Sequence, residues 1–410
     1  MCEDTVMKLF SQLLVAPAAL GLLVPLSTNA SEVNISEIAS YSDIDLVEEE
    51  EIFDHNSFKN SLVKNSTIEA NVSPVTFEAG GFSDTTVASQ TAQFLLSAAD
   101  GAASMSDEES VQFNYYYSIS LDTSFNGEDN LNVGIEAGNT GNNGAYTGTI
   151  LDFGTTAGDT FSVVDINYTR TFGDLTVQLG DSLDASSQFS GACAYSGFTD
   201  QLADCGTGLS AGLGGDVTVS TSYDIGNGFV AGFGITGAEG STTDGLFSKE
   251  SVDAYAAQIA YADDSYGLSV SYSNIDTGTD SSDDASALIG VGSDHTIWGI
   301  NGYYTFGGVI ENLSVGYEMA NPSSGKDTTN WFAGLTTGEV GPGTIGIGVG
   351  STGHTDGDTA EQIMYEVSYN WNVNDATSMT AGAFIKEQPD VSGAAVDDIT
   401  GVALITTFSF

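Results

Sequence analysis

The chain ends on the nine residues VALITTFSF, from Val402 to Phe410. Mainly apolar residues occupy one set of alternate positions, and small or polar residues occupy the other: Val402, Leu404, Phe408 and Phe410 against Ala403, Thr407 and Ser409. Thr406 and Ile405 are the exceptions on the two faces. Because successive side chains point to opposite faces of a strand, this alternation predicts a β-strand between two different environments. The chain is therefore predicted to end by closing a sheet.

The same alternation recurs along most of the sequence from about Thr86 onward. In the second segment, for example, Phe113, Tyr115 and Tyr117 share one face, opposite Asn114 and Ser118. Counting a weaker first strand near Thr86, about sixteen segments match, each close to the ~9 to 11 residues that a tilted strand needs to cross a bilayer.

The connections between these segments alternate in length. Short turns near 172–174, 225–228 and 372–375 alternate with longer loops rich in Gly, Ser and Asp. A transmembrane antiparallel β-barrel sorts its connections in this way, with short periplasmic turns and long extracellular loops. A closed barrel is also the sheet architecture that spans lipid with every backbone group paired. We therefore predict an all-β barrel domain over residues 76–410.

Composition restricts the possible partners. The chain has 410 residues, with 56 acidic and 7 basic side chains and a formal net charge of -49. Nucleic-acid binding is excluded, because no basic patch is present to neutralise phosphates. The acidic composition has two compatible interpretations: a solvated surface suited to salty water, and a conduit that favours cations.

The first part of the sequence predicts an export signal followed by a linker. Residues 1–30 hold a lysine at position 8, an apolar run from Leu13 to Leu26 and a small residue, Ala30, where cleavage is expected. Translation is expected to begin at Met7, because the acidic residues before it oppose export. Residues 31–75 are polar and acidic without periodicity, which predicts a disordered periplasmic linker.

No pattern indicates catalysis or a bound cofactor. The three histidines, His55, His295 and His354, have no Ser or carboxylate partner at a spacing typical of an active site. No metal-ligand spacing is present either, since lone cysteines and scattered histidines do not make a zinc site. We predict that the protein is not an enzyme.

The functional residues are instead expected to face the lumen of the barrel. Five carboxylates lie opposite apolar positions on their strands, which directs them inward or to the rims: Asp122, Glu136, Asp165, Glu318 and Glu366. Lysine at the inward position of Glu366 is expected to be tolerated, whereas lysine at outward-facing Val367 would sit in hydrocarbon.

The longest loop runs from about Ser182 to Gly215, after the fifth predicted strand, and contains Cys193 and Cys205. In an exported chain two cysteines so close together predict a disulfide, although free or metal-bound thiols remain the alternative.

Several segments resemble the porins of marine cyanobacteria. These are the signal-like run Met7–Leu23, the stretch Phe77–Ser83, the segment Leu121–Phe125 with Gly127, Asp129 and Leu131, and Ala137–Asn139. The terminal strand with its final aromatic residue is similar to the closing strand of bacterial outer-membrane barrels. Family members usually carry an S-layer-homology domain that binds peptidoglycan, which this sequence is expected to lack.

The resemblance implies a set of roles. In sixteen-stranded porins the loop after the fifth strand folds inward and narrows the channel, which makes Asp200 and Asp204 candidates for the constriction. Phe410 and Phe408 would form the signal read by the barrel-assembly machinery. Lipid of the outer membrane, small hydrophilic solutes or cations, and copies of the chain in a homotrimer are the implied partners.

The sequence thus predicts an outer-membrane porin for passive diffusion of small hydrophilic solutes and ions, with a preference for cations. A non-conducting structural or adhesive barrel and a secreted acidic soluble β-protein are the alternatives.

Overall fold

The computed structural model describes residues 85–410, except for 102–109, 141–149, 155–157, 212, 216, 239, 241–242, 244, 278–293, 352–353, 356–360 and 389–396. The predicted signal peptide (1–30), the linker (31–75) and the absence of an S-layer-homology domain concern residues outside this part of the chain.

Sixteen antiparallel strands form the barrel in the described part of the chain. They are β1 Thr86–Asp100, β2 Gln112–Thr123, β3 Asp129–Gly138, β4 Ser162–Phe172, β5 Leu175–Asp181, β6 Val217–Gly226, β7 Phe229–Gly237, β8 Asp253–Ala262, β9 Tyr266–Asp276, β10 His295–Thr305, β11 Ile310–Pro322, β12 Thr328–Thr337, β13 Gly343–Ser351, β14 Ile363–Asn374, β15 Thr377–Lys386 and β16 Ile399–Ser409. Three two-residue strands lie in connections: Leu183–Asp184, Gly214–Gly215 and His354–Thr355. Two short helices, α1 Asp200–Ala203 and α2 Gly208–Ala211, lie between β5 and β6.

Each barrel strand pairs with its neighbours in sequence, and the first strand closes the ring by pairing with the last. At this seam Phe94 lies opposite Thr406, and Leu96 lies opposite Leu404. Phe410 continues the ladder beyond β16, because its backbone N–H donates to Gln90 O at 3.0 Å and its carbonyl accepts from Gln90 N at 2.7 Å. The predicted all-β barrel is therefore confirmed, including the strand that closes it.

The tightest turns carry the residues that their backbone requires. Asn227 and Gly228 join β6 to β7, with φ of 55° and 84°. Two consecutive residues at positive φ match the right-handed twist of the flanking strands, and Asn-Gly is the sequence that adopts them at least cost. The turn thus fixes the register of this hairpin.

The outer surface of the barrel is an apolar belt. Phe113, Leu268, Ile300 and Val367 are 63%, 50%, 44% and 45% exposed, and similar residues occur on strands around the ring. Outward-facing charged residues of the described strands, such as Asp129 and Asp276, lie at strand ends. A monomer in water rarely exposes a continuous apolar surface of this extent, so the belt indicates a lipid environment.

Aromatic rings border this belt at two levels. Phe229, Tyr261 and Tyr266 contact one another at the end with the short turns, with centroids 4.9 and 5.2 Å apart. Tyr272 and Trp298 contact each other at 4.7 Å further along their strands. Amphipathic rings prefer the two membrane–water interfaces, and the two levels match such girdles. No helix among the described residues is long and apolar enough to cross a membrane.

Candidate functional site

The connection between β5 and β6, residues 182–216, is called the inner loop below. Its two ends are held together, because Leu183–Asp184 pairs with Gly214–Gly215. Within it Cys193 and Cys205 are joined by a disulfide, with Cα atoms 6.2 Å apart. The predicted disulfide is therefore present, and it ties the middle of the loop into one compact unit.

A buried carboxylate on β14 holds the inner loop. Glu366 is 4% exposed and accepts four hydrogen bonds from the loop. The donors are the Tyr195 hydroxyl at 2.6 Å, Phe198 N at 2.8 Å, Thr199 N at 2.7 Å and the Thr199 hydroxyl at 2.5 Å. Bonds to a carboxylate are short and strong, and together they satisfy a charge buried inside the barrel. Burial and the charge of Glu366 raise the pKa of Tyr195, so the phenol keeps the proton that it donates.

A second set of contacts fixes the loop to β9 and β11. Glu318, which is 1% exposed, accepts a bond from Ser210 N at 2.6 Å. Ser210 also shares a hydrogen bond with Ser271 at 2.7 Å. Ala194 N donates to the Ser314 hydroxyl at 2.9 Å. The inner loop is thus attached to strands from β9 to β14, far from β5 and β6 in the ring.

We call the inner faces of β9–β16 the covered wall. The loop packs against it through an apolar cluster that includes Tyr195, Phe198, Leu202, Phe332 and Phe384. Glycines make the close approach possible: a Cβ on Gly316 would lie 1.8 Å from the Cys205 carbonyl oxygen, and one on Gly382 would lie 2.7 Å from the Phe198 ring. The lumen is therefore partly filled from this side.

The inner faces of β2–β5, here called the open wall, carry a ladder of polar side chains. Asn132 donates to Asp122 at 2.9 Å, and Asn167 donates to Asn132 at 3.3 Å and to Asp165 at 2.8 Å. Two further bonds extend the ladder from the wall to the inner loop: Gln178 to Asn167 at 3.0 Å and Gln188 to Gln178 at 2.8 Å. On the same wall the Tyr116 hydroxyl donates to Glu136.

The β3–β4 connection joins the inner loop, because Leu151 pairs with Thr199 and Ile150, Leu151 and Phe153 belong to the same apolar cluster. Three exposed carboxylates lie on these two segments: Asp152 in the β3–β4 connection, and Asp200 and Asp204 in the inner loop.

Although Asp204 has an exposed surface, the surrounding barrel and inner loop remove much of the solvation of its carboxyl and raise its pKa to about 6, helped by the negative charges of Asp200, Glu318, Asp152 and Asp184. Loss of solvation, and then the negative charges of Asp200 and Glu366, raise the pKa of the partly shielded Asp152 carboxyl. The backbone bonds Asp152 N to Phe198 O at 3.0 Å and Asp200 N to Ile150 O at 2.9 Å hold the two segments together, so their carboxylates form a region of concentrated negative charge.

The residues predicted to line the pore divide into three groups. Asp122, Glu136 and Asp165 lie partly exposed on the open wall, and Asp200 and Asp204 lie exposed on the inner loop. Glu318 and Glu366 face inward, but they are buried beneath the loop and hold it instead of lining a passage. The expectation that Glu366 tolerates lysine does not fit this position, because lysine cannot accept the four hydrogen bonds. Asp152 and the anchoring donors Tyr195 and Thr199 carry no signal in the sequence pattern.

No protein-family model matches the chain, and no curated protein matches its sequence. Solved structures of outer-membrane proteins are similar in fold. OprB of Pseudomonas putida has a TM-score of 0.59 at 11% identity over 80% of this chain and 94% of that chain. An anion-selective porin from Comamonas acidovorans has a TM-score of 0.56 at 15% identity over 80% and 99%. OmpT of Vibrio cholerae lacking loop L8 has a TM-score of 0.54 at 10% identity over 80% and 100%. At these identities the likeness shows a shared porin-type barrel.

Proposed function

We propose that the chain is an outer-membrane porin that lets small hydrophilic solutes and ions diffuse passively, with a preference for cations. The observation that carries this is a closed barrel with an apolar outer belt, whose lumen is narrowed by a loop anchored to the opposite strands through Glu366. The belt does not fit a secreted soluble protein, because water would face a continuous apolar surface.

The preference for cations is inferred from the charges on the lumen side. Exposed Asp152, Asp200 and Asp204 lie on the narrowing segments, and Asp122 and Asp165 lie on the open wall. Among the strand residues that the structure describes, Arg170 lies on the outer face against the Phe172 ring at 5.0 Å, which leaves Lys386 as the inward-facing lysine or arginine. A passage lined by one sign of charge concentrates the opposite ion.

Reconstitution tests the channel itself. Liposomes containing the purified protein should swell in isosmotic solutions of small neutral solutes and should stop responding as solute size increases. Intact, heat-modifiable barrels that support neither swelling nor current would instead favour a plugged structural or adhesive barrel.

Assembly in the outer membrane rests on the terminal strand. Phe408 faces outward and its ring lies 6.1 Å from that of Phe94, while Phe410 is 66% exposed and bonded to Gln90. In the bacterial outer-membrane barrels that this terminal strand resembles, such a terminus is read by the barrel-assembly machinery. Phe410→Asp should lower the amount of folded, heat-modifiable barrel in the outer membrane, and unchanged assembly would contradict this part of the proposal. Export by residues 1–30 and assembly as a homotrimer complete the proposal.

A further inference from the structure

The connection between β7 and β8 carries two exposed apolar side chains, Leu246 and Phe247, which are called the apolar tip below. They are 39% and 58% exposed. In the described parts of the long connections at this end of the barrel, the other large apolar side chains that are exposed, Val111 and Phe161, directly precede β2 and β4. The apolar tip is therefore a separate apolar surface, away from either of the strands that flank it.

Leu246 lies against the outer surface of the barrel. A Cβ on Gly237 would lie 2.5 Å from Leu246 Cδ2, and one on Gly240 would lie 3.0 Å from the same atom. Gly237 faces outward in step with exposed Phe233 on β7, and Val217 lies opposite it on β6. The connection thus folds back over the rim, and Leu246 covers the outer face of the last residue of β7.

The contact with Gly237 also fixes the level of the apolar tip along the barrel. Gly237 lies opposite Asp253, and outward-facing Tyr255 follows Asp253 by two residues on β8. Tyr255 contacts Tyr272 with ring centroids 6.2 Å apart, so it belongs to the aromatic girdle at this end of the belt. At ~3.3 Å per residue, two residues along the strand place the tip about 7 Å beyond that girdle. This is the level of the membrane–water interface.

The turn after the apolar tip holds it in place. Phe247 has a φ of 54°, a left-handed conformation that is costly for a bulky side chain and persists only where the surrounding structure imposes it. Ser248 N donates to the Ser251 hydroxyl at 3.0 Å, and Ser251 N donates to the Ser248 hydroxyl at 3.1 Å. Ala238 N donates to Val252 O at 3.0 Å and closes the base of the connection. The tip is thus presented by a fixed turn.

The size and position of the apolar tip select the partner. A specific protein interface buries ~800 Å² on each partner, whereas one aromatic side chain buries about 150–250 Å². Two side chains are therefore too small a surface for a stable protein partner. Acyl chains need no complementary shape, because removal of apolar surface from water is non-directional. The tip also continues the outer belt, which indicates a lipid environment.

We propose that Leu246 and Phe247 insert into the edge of the bilayer and anchor the β7–β8 connection to the acyl chains of the leaflet on the side of the long loops. Such an anchor holds this connection on the lipid side of the rim and away from the mouth of the lumen. The proposal rests on the proposed function only for the membrane location of the barrel and does not depend on conduction.

Fluorescence quenching in liposomes tests the location of the apolar tip. The full chain with Phe247→Cys is labelled at that position with nitrobenzoxadiazole, without reductant so that the Cys193–Cys205 disulfide stays closed, and is reconstituted into phosphatidylcholine liposomes. Glu250→Cys, at an exposed position of the same connection, is the matched control, and wild type treated in the same way gives the background. We expect nitroxides on the acyl chains to remove most of the emission at position 247 and little at position 250. Iodide on both sides of the bilayer should do the reverse.

Three results would overturn the proposal. One is stronger quenching by iodide than by the acyl-chain nitroxides at position 247. Another is equal quenching by lipid at both positions, because the label itself would then enter the bilayer. The third is a label at position 247 that neither quencher reaches, which would show that another protein surface, such as a second copy of the chain, covers the tip. Liposome swelling is measured on the same samples, and lipid quenching without swelling would support the anchor while contradicting the proposed channel.

Discussion

The covered wall and the open wall are built from the same kind of strand, yet they differ in what they turn toward the lumen. On the covered wall the inward positions include glycines, apolar residues, Ser and Thr hydroxyls and two buried carboxylates, and the inner loop packs against this wall. On the open wall the inward positions are Asp, Asn and Gln joined into a ladder. The outward positions of both walls are alike. The difference shows that a single alternating pattern encodes the membrane face, while the size and polarity of inward residues decide where the lumen is filled.

Removal of Glu366 should have the largest effect, because it removes four of the hydrogen bonds that hold the inner loop on the covered wall. Glu366→Ala leaves four donors of the loop without their acceptor, and hydrogen bonds to a buried charge are the costly ones to lose. We expect the free energy of unfolding in detergent, measured by urea titration, to fall by on the order of 3 kcal/mol. Single-channel current should become larger and noisier.

Asp122→Ala is the matched variant on the open wall. Asp122 is partly exposed and accepts from Asn130 at 2.8 Å and Asn132 at 2.9 Å, so water can replace it. The free energy of unfolding of Asp122→Ala should be lower than that of the wild type by about 1 kcal/mol or less. Equal costs for the two variants would mean that the two walls do not differ in the way described.

Lysine on the outer face should be costly on both walls alike. Val367 on β14 and Ile119 on β2 lie near the middle of their strands and face outward. Val367→Lys and Ile119→Lys should each destabilise the barrel in lipid by ~2 to 4 kcal/mol, as expected for a charge near the bilayer midplane. Refolding titrations into liposomes measure this cost. A large difference between the two would show that the contrast between the walls extends to the outer face.

Lowering the pH should have a smaller effect, on the preference for cations. Because the pKa of Asp204 is raised to about 6, its carboxylate is charged above that pH and takes up a proton as the pH falls through it. One negative charge is then lost from the narrow region, so the preference for cations should weaken between pH 7 and pH 5. In Asp204→Asn this step should be absent while the overall preference persists at a lower level. A wild-type preference that rises on acidification would contradict the assignment.

The two walls also show which features of the structure the sequence pattern can predict. Alternation alone predicts the strands, their outward faces and the position of the inner loop, because each depends on local pattern and on the number of strands before it. The burial of Glu318 and Glu366 could not be predicted in this way. Whether an inward carboxylate meets water or the loop depends on contacts such as that between Tyr195 and Glu366, which lie 171 residues apart in the chain. The same holds for Asp152, whose place beside the inner loop follows from the fold and not from its neighbours in sequence.

The most direct test of the account is the reversal potential of single channels in a KCl gradient. Exposed charges act over about 10 Å at 0.1 M salt and over about 3 Å at 1 M. Carboxylates around a narrow passage therefore discriminate best between cations and anions in dilute solution. The wild type should show cation preference at low salt that weakens at high salt, and Asp200→Asn with Asp204→Asn should move the reversal potential toward zero. Anion preference in the wild type, or no channel in planar bilayers containing folded barrels, would contradict the account.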